Sequence, residues 1–135
     1  GSAGVIEAVV NLARSFIFTT GLPAAACAAA IRALDIVRAE PWRRRKVLDL
    51  AGQLRGLLVA AGWDTVGSQT QIVPVVVGSA DRAVALAEGL LQEGFFVPAI
   101  RPPAVPPGGS RLRISVTALH EPEDIADLGL ALSGR

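Results

Sequence analysis

The chain holds one cysteine (Cys27), one histidine (His120) and one lysine (Lys46). A lone cysteine excludes an internal disulfide, and with a lone histidine it excludes a Cys/His metal cluster. Both absences suit a reducing cytoplasm. Charge is scarce and balanced: 19% of residues are charged, 13 basic against 12 acidic, for a net charge of +1. Such a chain lacks the long-range field that draws in phosphate backbones or anionic bilayers, which argues against nucleic acid and membrane surfaces as partners. No secretory leader pattern opens it, and no run of about 20 uncharged apolar residues crosses it. The nearest candidate, Phe16 to Ile31, is interrupted by Pro23 and reads as a buried helix with a lead-in. A Gly-rich phosphate fingerprint, an HExxH pair and paired catalytic carboxylates are all missing, so no complete reaction centre is spelled out.

What remains is largely apolar. Hydrophobic residues make up 51% of the 135 positions, with a mean hydropathy of +0.47. That length suits one domain, 1–135, which buries roughly two thirds of its unfolded surface. The composition excludes disorder and leaves an apolar excess suited to a face meant for a partner.

Val5, Ile6, Val9, Val10 and Leu12 mark a short first helix, and Phe16 to Thr20 reads as extended. Pro23 suits a helix start, and the alanine-rich run after it, with Cys27 as a small buried hydrophobe, has high propensity to about Arg38. A second long helix spans about Pro41 to Ala61, with apolar residues at helical spacing, and ends near Gly62. Ile72 to Val77 is rich in β-branched residues and forms a strand, Pro74 signalling an edge or a bulge. Ser79 caps a helix to about Glu93, stopped by Gly94. Phe95 to Ile100 is a second strand, and Arg111 to Thr117 a third with Leu112, Ile114 and Val116 inward. A last helix begins at Glu121-Pro122-Glu123-Asp124, its acids suiting the helix dipole, with His120 helping its entrance. This order predicts an α+β sandwich: a small, mostly antiparallel sheet of three to four strands covered by helices.

Three arginines flank a loop stiffened by proline, Pro102 to Gly109. Arg101 precedes it, and Arg111 and Arg113 share one face of the strand that follows. Such guanidinium groups either form a solvated face or converge on one carboxylate, whose geometry their planar fork matches. Thr19 and Thr20 sit just ahead of a helix start, where they serve as an ordinary cap or as part of a phosphate site. The run Arg43-Arg44-Arg45-Lys46 reads as a solvated helix face, and Lys46 there lacks the pocket a Schiff-base lysine needs. On these residues alone, a non-catalytic anion-binding module remains open.

Three stretches together resemble the C-terminal part of the α-oxoamine synthases, pyridoxal-phosphate enzymes of fold type I. They are Arg14-Ser15-Phe16-Ile17-Phe18-Thr19-Thr20-Gly21-Leu22-Pro23, Ala99-Ile100-Arg101-Pro102-Pro103-Ala104-Val105-Pro106, and Arg111-Leu112-Arg113 through Glu121. The resemblance implies the small domain of such an enzyme and a decarboxylative condensation of an amino acid with an acyl thioester, pyridoxal phosphate acting as electron sink. The wording of the proline loop points within the family to L-alanine and a pimeloyl thioester, the alternative being a member of the 5-aminolaevulinate synthase or glycine C-acetyltransferase type, which is similar but differs in that loop. By resemblance, Arg113 grips the amino-acid carboxylate, while Arg101 and Ala104 lie where a mobile loop approaches the substrate. Ala104 stands where members commonly carry threonine, and a methyl group makes no hydrogen bond. Thr19 and Thr20 match a hydroxyl pair that reaches the cofactor phosphate of a neighbouring subunit, which implies a homodimer. The family's Schiff-base lysine, pyridine-binding aspartate and stacking histidine belong to a large domain, the other implied partner, so these 135 residues alone are expected to be inactive. Gly1-Ser2-Ala3-Gly4 reads either as a cloning remnant or as the glycine-rich stretch after the family's lysine, joined to Val5 by a deletion.

Overall fold

Residues 1–40 and 41–135 form two packing units in the computed structural model, which describes residues 1–135. The first unit is helical: α1 (Ala3–Leu12), a single turn α2 (Arg14–Ile17) and α3 (Ala24–Ala39). The segment read as extended, Phe16 to Thr20, instead continues from that turn. Bonds within the segment satisfy it locally: the Phe18 N–H donates to the Arg14 carbonyl at 3.2 Å, and the Thr19 hydroxyl donates to the Ser15 carbonyl. No residue of this unit is buried, so two further expectations fail. The alanine-rich helix α3 is exposed along its length, and Cys27 is exposed with it.

The second unit holds the core. α4 (Trp42–Ala60) leads to β1 (Ile72–Gly78), then α5 (Ala80–Gln92), β2 (Ala99–Ile100), β3 (Ser110–Ser115) and α6 (Pro122–Ser133). The three strands form one antiparallel sheet in the order β1-β3-β2. This is the small antiparallel sheet with helices that the sequence predicts. Val73, Val75, Leu112 and Ile114 point to one face, where they meet Leu50, Leu54 and Leu58 of α4, Leu90 of α5 and Ile125, Leu128 and Leu132 of α6. Burying each such side chain stabilises the fold by roughly 1.5–3 kcal/mol.

Pro74 lies in an edge strand, as its type requires. It pairs with Arg113, whose N–H is turned the other way, towards the Pro98 carbonyl at 3.0 Å. Pro74 therefore occupies a non-hydrogen-bonded position and removes no ladder bond. Val76, two residues on, turns its N–H outward to the Asp64 carbonyl at 2.9 Å, so the edge is partly closed by the chain itself. The second strand is much shorter than Phe95 to Ile100. Phe95 is taken by the end of α5, and Pro98 has no N–H to give, which leaves only Ala99 and Ile100 in the ladder.

α4 and α5 end alike. Gly62 and Gly94 take positive φ, 86° and 92°, and donate to the Val59 and Leu91 carbonyls at 3.0 Å. The next residues, Trp63 and Phe95, donate to Leu58 and Leu90 at 2.9 and 2.8 Å and pack against the core. Both ends are Schellman motifs closed by an apolar side chain. α6 opens with a capping box between Glu121 and Asp124, and the Glu121 carboxylate also accepts from Lys46 at 2.8 Å. The start of α4 is basic: Arg43 to Lys46 lie in its first turns and no acid does, the sign its dipole does not favour. No helix is long and apolar enough to cross a membrane.

Candidate functional site

The uncovered face of the sheet carries Ile72, Pro74 and Val76 from β1 and Arg111, Arg113 and Ser115 from β3. Arg111 and Arg113 thus share one face, as their spacing requires. They differ in freedom. Arg113 is exposed, on the central strand, with β1 on one side and the Pro98 carbonyl on the other fixing its main chain. Arg111 is half-buried and its Nε donates to the Gly109 carbonyl at 2.9 Å, so part of its fork is committed to holding the loop.

That loop is built from two closed turns. The Ala104 N–H donates to the Arg101 carbonyl at 3.0 Å, and the Gly109 N–H to the Pro106 carbonyl at 2.9 Å. Arg101 and Ala104 are therefore the two ends of one turn, both exposed. Ile100 pairs with Arg111, so the start of the loop lies beside the arginine strand. The pleat does not align all three guanidinium groups: continued by one residue, the register would send Arg101 to the face of Leu112, opposite Arg113. Arg101 escapes that constraint only because it lies beyond the ladder, in the turn.

Thr19 and Thr20 belong to the first unit and Arg101, Ala104 and Arg113 to the second. Both threonines are exposed, and the Thr19 hydroxyl is bonded to the Ser15 carbonyl. α3, four residues after Thr20, has no side-chain cap. Its first N–H groups thus remain able to bind an anion, and the hydroxyl-rich approach to an uncapped helix suits a phosphate. Lys46 is engaged with Glu121 at 2.8 Å. His120 serves the turn ahead of α6, its Nδ1 accepting from the Thr117 N–H at 3.1 Å.

Two clefts escaped the sequence reading. One, of about 460 Å³, lies between the end of α5 and the start of α6, lined by Phe95, Phe96, Val97, His120, Asp124 and Leu128 among others. The other, also of about 460 Å³, adjoins the first turns of α4 and is lined by Arg43, Arg44, Val47, Leu48, Gln71 and Ala118. The run Arg43 to Lys46 was its only trace in the sequence. Gln71 and Ala118 come from segments distant in the chain, which no local pattern brings together.

Known proteins share much of this sequence and its fold. An 8-amino-7-oxononanoate synthase of Geobacter sulfurreducens is 48% identical over 126 residues, covering 92% of this chain and 32% of that protein. A solved structure of SPT with a PLP internal aldimine superposes with a TM-score of 0.87 at 30% identity, over 98% of this chain and 34% of the other. An 8-amino-7-oxononanoate synthase of Francisella tularensis has the same fold, with a TM-score of 0.85 at 21% identity, over 98% of this chain and 39% of its own. The chain thus spans about a third of the length of the proteins it matches. These relatives bear out the resemblance read from the three motifs and the fold of a type I pyridoxal-phosphate enzyme domain. The family model for aminotransferase class I and II matches residues 1–131, and the chain belongs to that family.

Proposed function

We propose that residues 1–135 are the C-terminal domain of an 8-amino-7-oxononanoate synthase, the acyltransferase that condenses L-alanine with a pimeloyl thioester, releasing carbon dioxide, in biotin biosynthesis. The observation that carries this reading is the 48% identity to the Geobacter sulfurreducens protein of that name. In this reading the chain works within a cytoplasmic homodimer, against its own large domain and a second subunit.

Pyridoxal phosphate, when bound, supplies an electron sink for the amino acid's α-carbon. The residues present fit part of its cradle: Thr20 and the uncapped start of α3 suit the phosphate of a cofactor shared across the dimer, and Thr19 joins them when its hydroxyl turns from the Ser15 carbonyl. Lys46, paired with Glu121, is not its anchor. Arg113 binds and orients the alanine carboxylate through a bidentate pair, its fixed main chain limiting the positions the guanidinium can take. Arg101 and Ala104 face the substrate from the loop, and the methyl group of Ala104 makes that wall apolar. Arg111 holds the loop in place through the Gly109 carbonyl.

Co-expression with the rest of the Geobacter sulfurreducens relative tests the reading. The pair should form product from L-alanine and pimeloyl thioester. Arg113→Ala should lower kcat/KM for L-alanine roughly 10- to 100-fold, the range expected for losing hydrogen bonds to a charged group. Lys46→Ala should leave the rate unchanged. A complex in which Arg113→Ala matches the unaltered protein removes the central element of the proposal. The 30% identity to SPT favours one second reading, an acyltransferase acting on serine. Competition between L-alanine and L-serine separates the two.

A further inference from the structure

β3 is paired on both sides for only part of its length. Arg113 turns its N–H towards the Pro98 carbonyl at 3.0 Å, and Val116 turns its own the other way, to the Gln71 carbonyl at 2.9 Å. Main-chain groups alternate along a strand, so the N–H and C=O of Ser115 point to the same side as those of Arg113. Phe96 would stand opposite them if the register Ala99↔Leu112, Ile100↔Arg111 continued. It does not. Phe95 is drawn to the Leu90 carbonyl at 2.8 Å, the pairing stops short of Phe96, and no main-chain bond joins Phe96 to Ser115.

The space between the diverging segments is the cleft of about 460 Å³ beside the start of α6, with Phe96 and Ser115 on opposite walls. The core reaches the surface here. Val97, Ile114, Val116, Ile125 and Leu128 each keep 3–7% exposure and all line this cleft, whereas Leu54, Leu58, Leu90, Leu112 and Leu132 are wholly covered. An uncovered apolar wall beside an unused strand donor and acceptor fits a main chain that carries an apolar side chain. A plain aliphatic molecule would cover the wall and leave the Ser115 amide unpaired.

Two further features set the occupant's length and charge. Beyond Ser115, the Thr117 N–H donates to His120 Nδ1 at 3.1 Å and the Thr117 carbonyl accepts from the His120 N–H at 3.3 Å. The free edge is therefore one residue long, which suits the end of a chain. The lining includes the acid Asp124 and no arginine or lysine, which suits a positive end.

We propose that this cleft binds the amino-terminal end of an extended peptide. A strand following the line of β2 runs antiparallel to β3, so its first residue lies opposite Val116 with the side chain inward, and its second lies opposite Ser115. The first side chain, apolar, covers Val116, Ile125 and Leu128. The second residue exchanges two hydrogen bonds with Ser115, and the terminal ammonium lies at the end lined by Asp124. This binding stands apart from the acyltransferase reading, because it uses no side chain assigned to substrate or cofactor.

The test titrates leucyl-alanine amide into the full 135-residue chain labelled with nitrogen-15. The Ser115 amide should shift and exchange its hydrogen more slowly, with Phe96 and Val97 moving beside it. Acetylating the probe's amino group, N-methylating its alanine or replacing its leucine by serine should each weaken binding roughly fivefold or more, the range for one lost hydrogen bond or buried side chain. Asp124→Asn, which keeps a side-chain acceptor for the Glu121 N–H, should erase the difference between the free and acetylated probes and leave the N-methyl effect intact. Shifts centred away from Ser115 overturn the proposal, as does an N-methylated or acetylated probe that binds the unaltered chain as tightly as the parent. Isocaproamide binding as tightly as the dipeptide overturns it too, reducing the cleft to an apolar slot.

Discussion

Arg113 shows how much a single position owes to its strand. The spacing of Arg111 and Arg113 established their shared face, and the sheet confirms it, but alternation alone gave no sign that Arg111 is drawn back to the Gly109 carbonyl while Arg113 stays exposed. That difference arises from the loop's closed turns, which depend on backbone bonds over several residues. Val66 is another position that resists reading. It takes φ 55°, left-handed backbone that a β-branched residue adopts only under strain, next to Gly67 at φ 60°. Its N–H donates to the Asp64 carboxylate at 2.8 Å and its side chain is 55% exposed, so replacing it forfeits little packing. Val66→Asn should therefore stabilise the chain by about 1 kcal/mol, a rise in the midpoint of urea unfolding checking it. An unchanged or lower midpoint would show that the turn carries no strain.

At the scale of elements, the punctuation in the sequence was largely legible. Ser79 accepts from the Arg82 N–H and caps α5, and Gly62 and Gly94 end their helices as expected. Gly94→Ala should cost about 1 kcal/mol, because nothing lies near an added methyl group and only the backbone conformation opposes it. Thermal melting checks this, and a loss far above that figure would mean that the cap does more than end the helix. Glu121 joins two elements, capping α6 and accepting from Lys46 on α4. Glu121→Ala should cost about 0.5–2 kcal/mol, nearly all of it from the cap, since the carboxylate is 63% exposed and such ion pairs add little. A Lys46→Ala variant that costs as much would reverse that ranking. The segments misread, Phe16 to Thr20 and Phe95 to Pro98, share a cause. In both, strand-like composition was overruled at Phe16 to Thr19 and at Phe95 by hydrogen bonds to an adjacent helical turn, which propensity does not register, and Pro98 in addition lacks the N–H that a ladder needs.

For the molecule as a whole, the apolar excess was visible in composition but its location was not. The buried residues lie within 41–135, while Val5, Ile6, Phe18, Leu22 and Ile31 remain exposed in the first unit. Periodicity identifies an apolar helix face without saying whether the same chain covers it. Residues 41–135 alone should fold cooperatively, with a single urea transition, and residues 1–40 alone should show little helix by circular dichroism. A 41–135 piece that fails to give a sigmoidal transition would show that the core needs more than its own residues. The candidate site was legible to a similar degree: motifs supplied Arg113, Arg101 and the threonine pair, whereas the cleft at α4, assembled from Gln71 and Ala118 as well as the helix, was invisible.

The position of β3 between two other strands has one more consequence. Its amides are among those released only when the entire sheet comes apart, whereas the turn bearing Arg101 opens at far lower cost. In the function proposed above, the two arginines would thus act as a fixed jaw and a travelling one. Hydrogen exchange should find Arg113 among the slowest amides in the chain and Ala104 among the fast ones, a vice that adjusts to its load from one side.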